Sequence, residues 1–158
     1  MPTAKGESAP VGRLVSILAK IPLLSGLNRE DYQLLLQVCR VARYGAGEPI
    51  FAQGDIGIEM FVVLAGTVEV SSEQAGPLYT MEPGEVLGEI ALVSRLRRTA
   101  SARAGTDTAL LCLSRPDLDS LVGRAPRISY LVMRHTAEVL AERLMAATER
   151  SGRYALGD

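Results

Sequence analysis

Several residue types are scarce in this chain of 158 residues, and each scarcity argues against a kind of core or a kind of binding site. It has no Trp and only two Phe, so its core must be built mainly from aliphatic side chains. It has one His, which argues against a metal site built on a histidine cluster. The formal net charge of -1 argues against an electrostatic footprint for DNA or RNA over the whole chain, although a local basic patch is compatible with it.

Long apolar runs and a secretion signal are missing as well. No apolar run approaches the roughly 18 residues that would span a bilayer, so we expect no membrane segment. Residues 1–10, MPTAKGESAP, lack the apolar centre of a signal peptide, and we expect them to form a disordered lead. Cys39 and Cys112 lie in apolar surroundings and are predicted to be buried free thiols. These features favour a reducing, cytoplasmic location.

The remaining composition is that of one globular domain, since 47% of the residues are hydrophobic and 22% are charged. We assign residues 11–150 to this domain and residues 151–158 to a tail. Helices are predicted over 11–43 and 114–150, and a β unit over 44–113. Asn28 with Asp31, and Ser114 with Asp117, are spaced as helix N-terminal caps. The predicted buried stripe of the second helix is Leu34, Leu35, Val38 and Val41.

The β unit is marked by glycines that separate short apolar runs, a pattern typical of a small all-β sandwich or barrel. Ala65-Gly66 and the segment 74–77 are predicted to be tight turns, the first of them a hairpin turn. The glycines are Gly45, Gly47, Gly54, Gly57, Gly66, Gly76, Gly84 and Gly88.

The last helix, predicted over 127–150, carries apolar residues in steps of three and four, a seven-residue repeat. Two interpretations of this seam stay open. It buries the helix against its own β unit, or it pairs the helix with a second copy of the chain. The seam consists of Tyr130, Met133, Ala137, Leu140, Leu144 and Ala147.

The segment GEIALVSRLRRTASARA, residues 88–104, has the composition of an anion site. A glycine before a short helical turn lets backbone N–H groups approach an anion, and an arginine fork matches two phosphate oxygens. A carboxylate would repel a phosphate, so Glu89 fits only if it accepts a hydrogen bond from a neutral hydroxyl such as a ribose 2′-OH. The residues alone also allow a solvated basic loop in which Glu89 caps a helix.

The same segment resembles the phosphate-binding cassette of the cyclic nucleotide-binding domain family. That cassette has the form G-E-[ILA]-[AC]-L followed by R-[TSA]-A, and here it is residues 88–92 followed by residues 98–100. The glycine pattern upstream matches as well, and the resemblance runs from about residue 21 to residue 144. Family members include catabolite activator proteins, regulatory subunits of cyclic-AMP-dependent kinase and pacemaker-type channels. The resemblance implies an eight-stranded jelly-roll barrel with two N-terminal and two C-terminal helices.

The resemblance also implies roles for seven residues. Glu89 would accept the ribose 2′-OH, and Arg98 would pair with the exocyclic phosphate oxygens. Backbone amides would complete the phosphate cradle, and Thr99 could hydrogen-bond a syn guanine. Arg95 and Arg97 are expected to face solvent. The predicted ligand-binding set is Gly88, Glu89, Ile90, Ala91, Arg98, Thr99 and Ala100.

The function implied is a stand-alone sensor of cAMP, with cGMP as the second candidate, that signals through movement of its last helix. Arg134, His135, Glu138 and Arg143 are the residues of that helix that could reach the base. An effector protein or a homodimer through this helix would read the change. The alternative is a protein-interaction module with a vestigial nucleotide site.

Other classes of function are not predicted. The sequence shows no nucleophile paired with a base, no set of metal ligands and no Walker-type loop, so we expect neither an enzyme nor a cofactor. Few residues follow Arg150, so we expect no helix-turn-helix and no DNA binding.

Overall fold

The computed structural model describes residues 11–151. The predicted lead, 1–10, and residues 152–158 of the predicted tail lie outside the described residues. No helix among the described residues is long and apolar enough to cross a membrane.

The N-terminal helices begin as predicted but end earlier. Helix α1 spans Val11–Leu18, a 3₁₀ turn spans Pro22–Leu24, and α2 spans Arg29–Val38. The capping box is confirmed, because Asn28 Oδ1 accepts from the Asp31 amide at 2.8 Å and Asp31 Oδ2 accepts from the Asn28 amide at 2.9 Å. The prediction of helix up to residue 43 is wrong, since Arg40–Tyr44 forms strand β1. Val41 therefore pairs with Leu111 in a sheet rather than extending the helical stripe.

In the part of the chain that the structure describes, eight strands form two four-stranded antiparallel sheets, which confirms the mainly β fold class with helices at both ends. The first sheet has the order β1-β8-β3-β6 and the second the order β2-β7-β4-β5. The prediction of a closed barrel is wrong, because within residues 11–151 each sheet keeps its own edge strands and no ladder joins the two. The remaining strands are β2 Pro49–Phe51, β3 Glu59–Ala65, β4 Val68–Ser72, β5 Gly76–Met81, β6 Val86–Leu87, β7 Ser101–Ala104 and β8 Thr108–Ser114.

Strands β3 and β8 are apolar on both faces because both faces of the first sheet are covered. Met60 and Leu113 pack in a cluster with the helices, and Phe61 and Cys112 pack in the cluster between the sheets. This burial explains why MFVVL and ALLCL are continuous apolar runs rather than alternating ones.

The two predicted turns have different outcomes. Residues 73–75 connect β4 to β5, which pair with each other, so the turn near residues 74–77 is confirmed. Ala65-Gly66 is not a hairpin turn, because β3 and β4 belong to different sheets. Gly66 has φ +79°, and an added Cβ would contact the Asp107 carbonyl oxygen. The glycine therefore serves a tight crossover between sheets.

The C-terminal helices are confirmed. Helix α3 spans Arg115–Ser120, with Ser114 Oγ accepting from the Asp117 amide at 3.1 Å, and α4 spans Pro126–Ser151. The interpretation in which the seam buries α4 against its own β unit is wrong. Tyr130 is 63% exposed and Leu144 is 59% exposed. The buried stripe of α4 consists instead of Ile128, Ser129, Val132 and Thr136.

Candidate functional site

A cavity of about 510 Å³ lies between the second sheet, the segment 84–100 and α4. Its apolar walls come from β2, β4 and β5 through Phe51, Val70 and Met81, and from α4 through Val139. All seven residues of the predicted ligand-binding set line this cavity: Gly88, Glu89, Ile90, Ala91, Arg98, Thr99 and Ala100. The volume is in the usual range for small-molecule sites, about 300–1,000 Å³.

Gly88 opens the turn that forms one side of the cavity. Its φ is +78°, the left-handed region that glycine tolerates, and it caps a 3₁₀ helix over Glu89–Leu92. The Ala91 amide donates to the Gly88 carbonyl at 3.1 Å, so this N–H closes the turn and is not open to a ligand here. Ile90 lies one position earlier, where helix N–H groups have no partner within the helix.

Arg98 places its guanidinium inside the cavity. Nη2 donates to the Glu59 carbonyl at 2.7 Å, Nη1 lies 3.5 Å from the Gly88 carbonyl, and Cζ lies 4.3 Å from the centre of the Phe51 ring. The backbone of Arg98 is held by the Gly54–Asp55 turn, through bonds of 2.8 Å and 2.7 Å. These bonds fix the backbone of Arg98, and the fixed backbone directs its side chain into the cavity.

Two glycines make room for this guanidinium. A Cβ on Gly57 would lie 2.5 Å from Arg98 Cζ, and one on Gly88 would lie 2.5 Å from Arg98 Nη1. Both are closer than non-bonded atoms approach. Any side chain at either position would displace the guanidinium.

The Arg98 charge has no carboxylate partner among the described residues; its hydrogen bonds go to backbone carbonyls. Burial lowers the pKa of Arg98, and Glu59 and Asp55 at longer range partly oppose this effect. A half-buried cation with unused N–H donors and no carboxylate in ion-pair contact is a site for an anion.

Glu89 is the second charged group, and it is buried, with 3% of its side chain exposed. Its Oε1 atom forms an ion pair with Nη1 of Arg143, which reaches down from α4, and it has no other polar partner among residues 11–151. The Glu89 carboxylate and the Arg98 guanidinium thus face the same cavity from different segments of the chain.

The other arginines of the segment are exposed as predicted, although Arg97 also lines the cavity. Arg95 and Arg97 are exposed, and Arg97 Nη1 donates to the Gly54 carbonyl at 2.8 Å. Thr99 is exposed at the cavity edge, and Ala100 packs against the cluster between the sheets. No group of three His, Cys, Asp or Glu side chains suited to a metal ion occurs in the described part of the chain.

Of the four α4 candidates for the base, only Arg143 lines the cavity. His135 Nδ1 lies 3.0 Å from the Leu23 carbonyl, and Arg134 pairs with Glu138 at 3.1 Å on the exposed side of α4. The sequence did not single out Phe51 or Val139, because an apolar residue in a strand or helix looks like ordinary core. Gly57 belongs to the glycine pattern, and its place beside Arg98 follows only from the fold.

Comparison with known proteins gives a consistent result. The family model described as "Cyclic nucleotide-binding domain" matches residues 41–125. The chain is 38% identical over 130 residues to the Cyclic AMP receptor protein of Thermus thermophilus, and this match covers 80% of the chain and 58% of the relative. It is 31% identical to the cAMP-dependent protein kinase regulatory subunit of Schizosaccharomyces pombe, over 70% of the chain and 27% of the relative.

A solved structure shows the same fold. The crystal structure of Thermus thermophilus Catabolite Activator Protein superposes with a TM-score of 0.73 at 37% identity, covering 83% of this chain and 62% of that one. The chain thus spans only 58% and 27% of the two curated relatives above.

Proposed function

The chain belongs to the cyclic nucleotide-binding domain family, and from this premise we propose that it binds a 3′,5′-cyclic nucleotide as a regulatory sensor rather than as an enzyme. One observation carries the proposal. The cavity holds a half-buried guanidinium, Arg98, which has no ion-pair partner among the described residues, and a buried carboxylate, Glu89. A cyclic nucleotide matches both, since it offers a phosphate with one negative charge and a neutral ribose hydroxyl.

The residues take the following roles in this proposal. The Arg98 fork binds the exocyclic phosphate oxygens, and Glu89 accepts the ribose 2′-OH. The Ile90 amide lies at the start of the 3₁₀ helix, where N–H groups and the helix dipole favour an anion. Gly88, Ala91, Thr99 and Ala100 shape the cradle around them.

We place cAMP ahead of cGMP as the ligand. The support is that the names of two relatives, at 38% and 31% identity, refer to cAMP. Thr99, whose hydroxyl would bind a syn guanine, keeps cGMP as the second candidate. The two free thiols support a cytoplasmic setting.

The output in this proposal is α4, which reaches the cavity through Val139 and Arg143. Bound nucleotide shifts the helix, and a partner reads the shift. The seam supports a second copy of the chain as one such partner, because Tyr130, Met133 and Leu144 stay exposed along one side of the helix. An effector protein is the other.

Calorimetric titration of cAMP, then cGMP, into protein refolded free of nucleotide tests the proposal. Refolding matters because a host cell's own cAMP would fill the site. We expect saturable binding with a Kd in the micromolar range or below, and a lower Kd for cAMP than for cGMP. Arg98→Ala should lose this binding. Absence of binding to either nucleotide would refute the proposal and favour an interaction module with a vestigial site.

A further inference from the structure

Glu59, at the start of β3, contacts two arginines through different groups. Its backbone carbonyl accepts from Arg98 Nη2 at 2.7 Å, whereas its side chain pairs with Arg40 on β1. The Arg40 fork reaches both carboxylate oxygens, with donor–acceptor distances of 3.1 Å, 2.9 Å and 2.8 Å. Of these two arginines, Arg98 lines the cavity and Arg40 lies outside its lining.

The side chains of Glu59 and Arg40 lie on the face of the first sheet that Arg98 covers. Side chains alternate along a strand, so Glu59 shares the face of Phe61. By the same rule Arg40 shares the face of Ala42. Phe61 and Ala42 both pack in the cluster between the sheets, and Arg98 Cζ lies 5.7 Å from the centre of the Phe61 ring. The Glu59 carboxylate is therefore on the same side of β3 as the Arg98 guanidinium.

Two carboxylates are close enough to influence the Arg98 charge without pairing with it. Burial lowers the pKa of Arg98, while Glu59 and, after it, Asp55 raise this pKa. Both carboxylates are already engaged: Asp55 Oδ2 accepts from the Ala52 amide at 3.0 Å, and Glu59 is held by Arg40. The Asp55 contact is local to one turn, whereas the Glu59 contact depends on a side chain from another strand.

A Glu59 carboxylate without Arg40 would compete with an anionic ligand for Arg98. Only 22% of the Glu59 side chain is exposed, so solvent replaces a lost cation poorly. Arg98 is nearby, has unused N–H donors and has no carboxylate in ion-pair contact, so it is the cation to which a freed carboxylate would turn. A phosphate must then displace that carboxylate before it can bind.

We propose that Arg40 is a positioning residue for the nucleotide site, which keeps Arg98 free for the phosphate by holding the Glu59 carboxylate. This inference rests on the proposed function. It assigns a role in ligand affinity to a residue of β1 that lies outside the cavity lining. Because Arg40 acts through Glu59, its contribution should vanish when residue 59 carries no charge.

The experiment is titration calorimetry with cAMP on the whole chain, refolded free of nucleotide. Arg40→Met should weaken cAMP binding about tenfold, the scale of one charge-assisted hydrogen bond. Arg40→Lys should bind more tightly than Arg40→Met, because an ammonium group still pairs with Glu59. The matched control is Arg103→Met, since Arg103 pairs with Glu69 at 2.6 Å in the second sheet and lies outside the lining. It should bind within about threefold of wild type.

The Glu59→Gln background gives a readout that a merely structural role would not move. Glutamine keeps the backbone carbonyl that Arg98 uses but brings no charge, so adding Arg40→Met to Glu59→Gln should cause no further loss of affinity. An equal loss in both backgrounds would show that Arg40 acts through its own charge or through folding, and would overturn the inference. Wild-type affinity in Arg40→Met alone would overturn it as well.

Thermal melts of each variant establish that it is folded. If Arg40→Met does not fold, Arg40→Gln takes its place, because it removes the charge but keeps a polar side chain. The same cancellation by Glu59→Gln is then expected. Failure of wild type to bind cAMP or cGMP would instead refute the proposed function, and the inference with it.

Discussion

Gly57 provides the sharpest test of how the Arg98 guanidinium is positioned, because Gly57 itself has no side chain with which to bind a ligand. In Gly57→Ala the new Cβ would lie 2.5 Å from Arg98 Cζ and from Nε, and 3.0 Å from Cδ. The φ of Gly57 is not in the left-handed region, so the backbone accepts alanine. The side chain of Arg98 must therefore move while the strands remain in place.

The size of the effect follows from the distances. Ordinary contact begins at 3.4 Å, so the guanidinium must withdraw by about 0.9 Å. A hydrogen bond of about 2.8 Å to a phosphate oxygen would lengthen to about 3.7 Å, beyond the hydrogen-bonding range. Losing one charge-assisted bond costs about 1.5–3 kcal/mol, so we expect cAMP affinity to fall roughly ten- to hundredfold.

Stability should change little, which separates this prediction from simple misfolding. The lost bond to the Glu59 carbonyl costs about 1 kcal/mol, and alanine recovers part of it by restricting the unfolded chain. The melting temperature should therefore shift by no more than about 4 °C. Titration calorimetry with thermal melts measures both quantities. Gly123→Ala is the matched control, since nothing lies within 4 Å of its Cβ. Wild-type affinity in Gly57→Ala would refute the assignment of Arg98 to the phosphate.

Three further predictions concern the charge, the thiols and the seam. Arg98→Ala should weaken cAMP binding by roughly 2–5 kcal/mol in the same titration, and unchanged affinity would remove Arg98 from the site. Cys112 is buried and Cys39 is partly buried, and burial raises the pKa of both thiols to about 12, so a thiol reagent at about pH 8 should label both far more slowly in folded protein than in denaturant. Labelling of Cys112 in the folded chain as fast as in denaturant would contradict its burial. Leu144→Glu should dissociate a homodimer in analytical ultracentrifugation, whereas Ala146→Glu, also exposed but off the seam, should not. Equal behaviour of the two variants would exclude the seam as the interface.

The fold could be predicted where the determining interactions are local. Caps at Asn28 and Ser114 depend on side chains three residues away, and both formed as expected. The sequence places Val41 in a helix because its apolar spacing continues the helical pattern, while its strand partner Leu111 lies far along the sequence. The crossover at Gly66 is not predictable for a similar reason. Glycine marks a turn, but which strands then pair depends on the packing of the two sheets.

The residues of the site also divide into those that local sequence predicts and those that meet only in the folded chain. The cassette residues are contiguous or nearly so, and all seven line the cavity. Gly57, Phe51 and Arg143 come from other elements, and their relation to Arg98 and Glu89 exists only after folding. Sequence spacing could place Arg143 on the last helix but not its rotation about the helix axis. That rotation is set by the burial of Ile128 and Val132 near the start of α4.

The same rotation determines how the cavity and the seam of α4 are related. Val132, Thr136, Val139 and Arg143 follow one another in steps of four and three, so they lie along one side of the helix, toward the body and the cavity. Met133, Leu140 and Leu144 lie along a second side, about 100° around the axis. Because one α-helix carries both stripes, Arg143 and Leu144 move together. A nucleotide that changes the position of Arg143 therefore also changes the position of the seam. If nucleotide binding changes the affinity of a partner for the seam by some factor, binding of that partner must change the nucleotide affinity by the same factor.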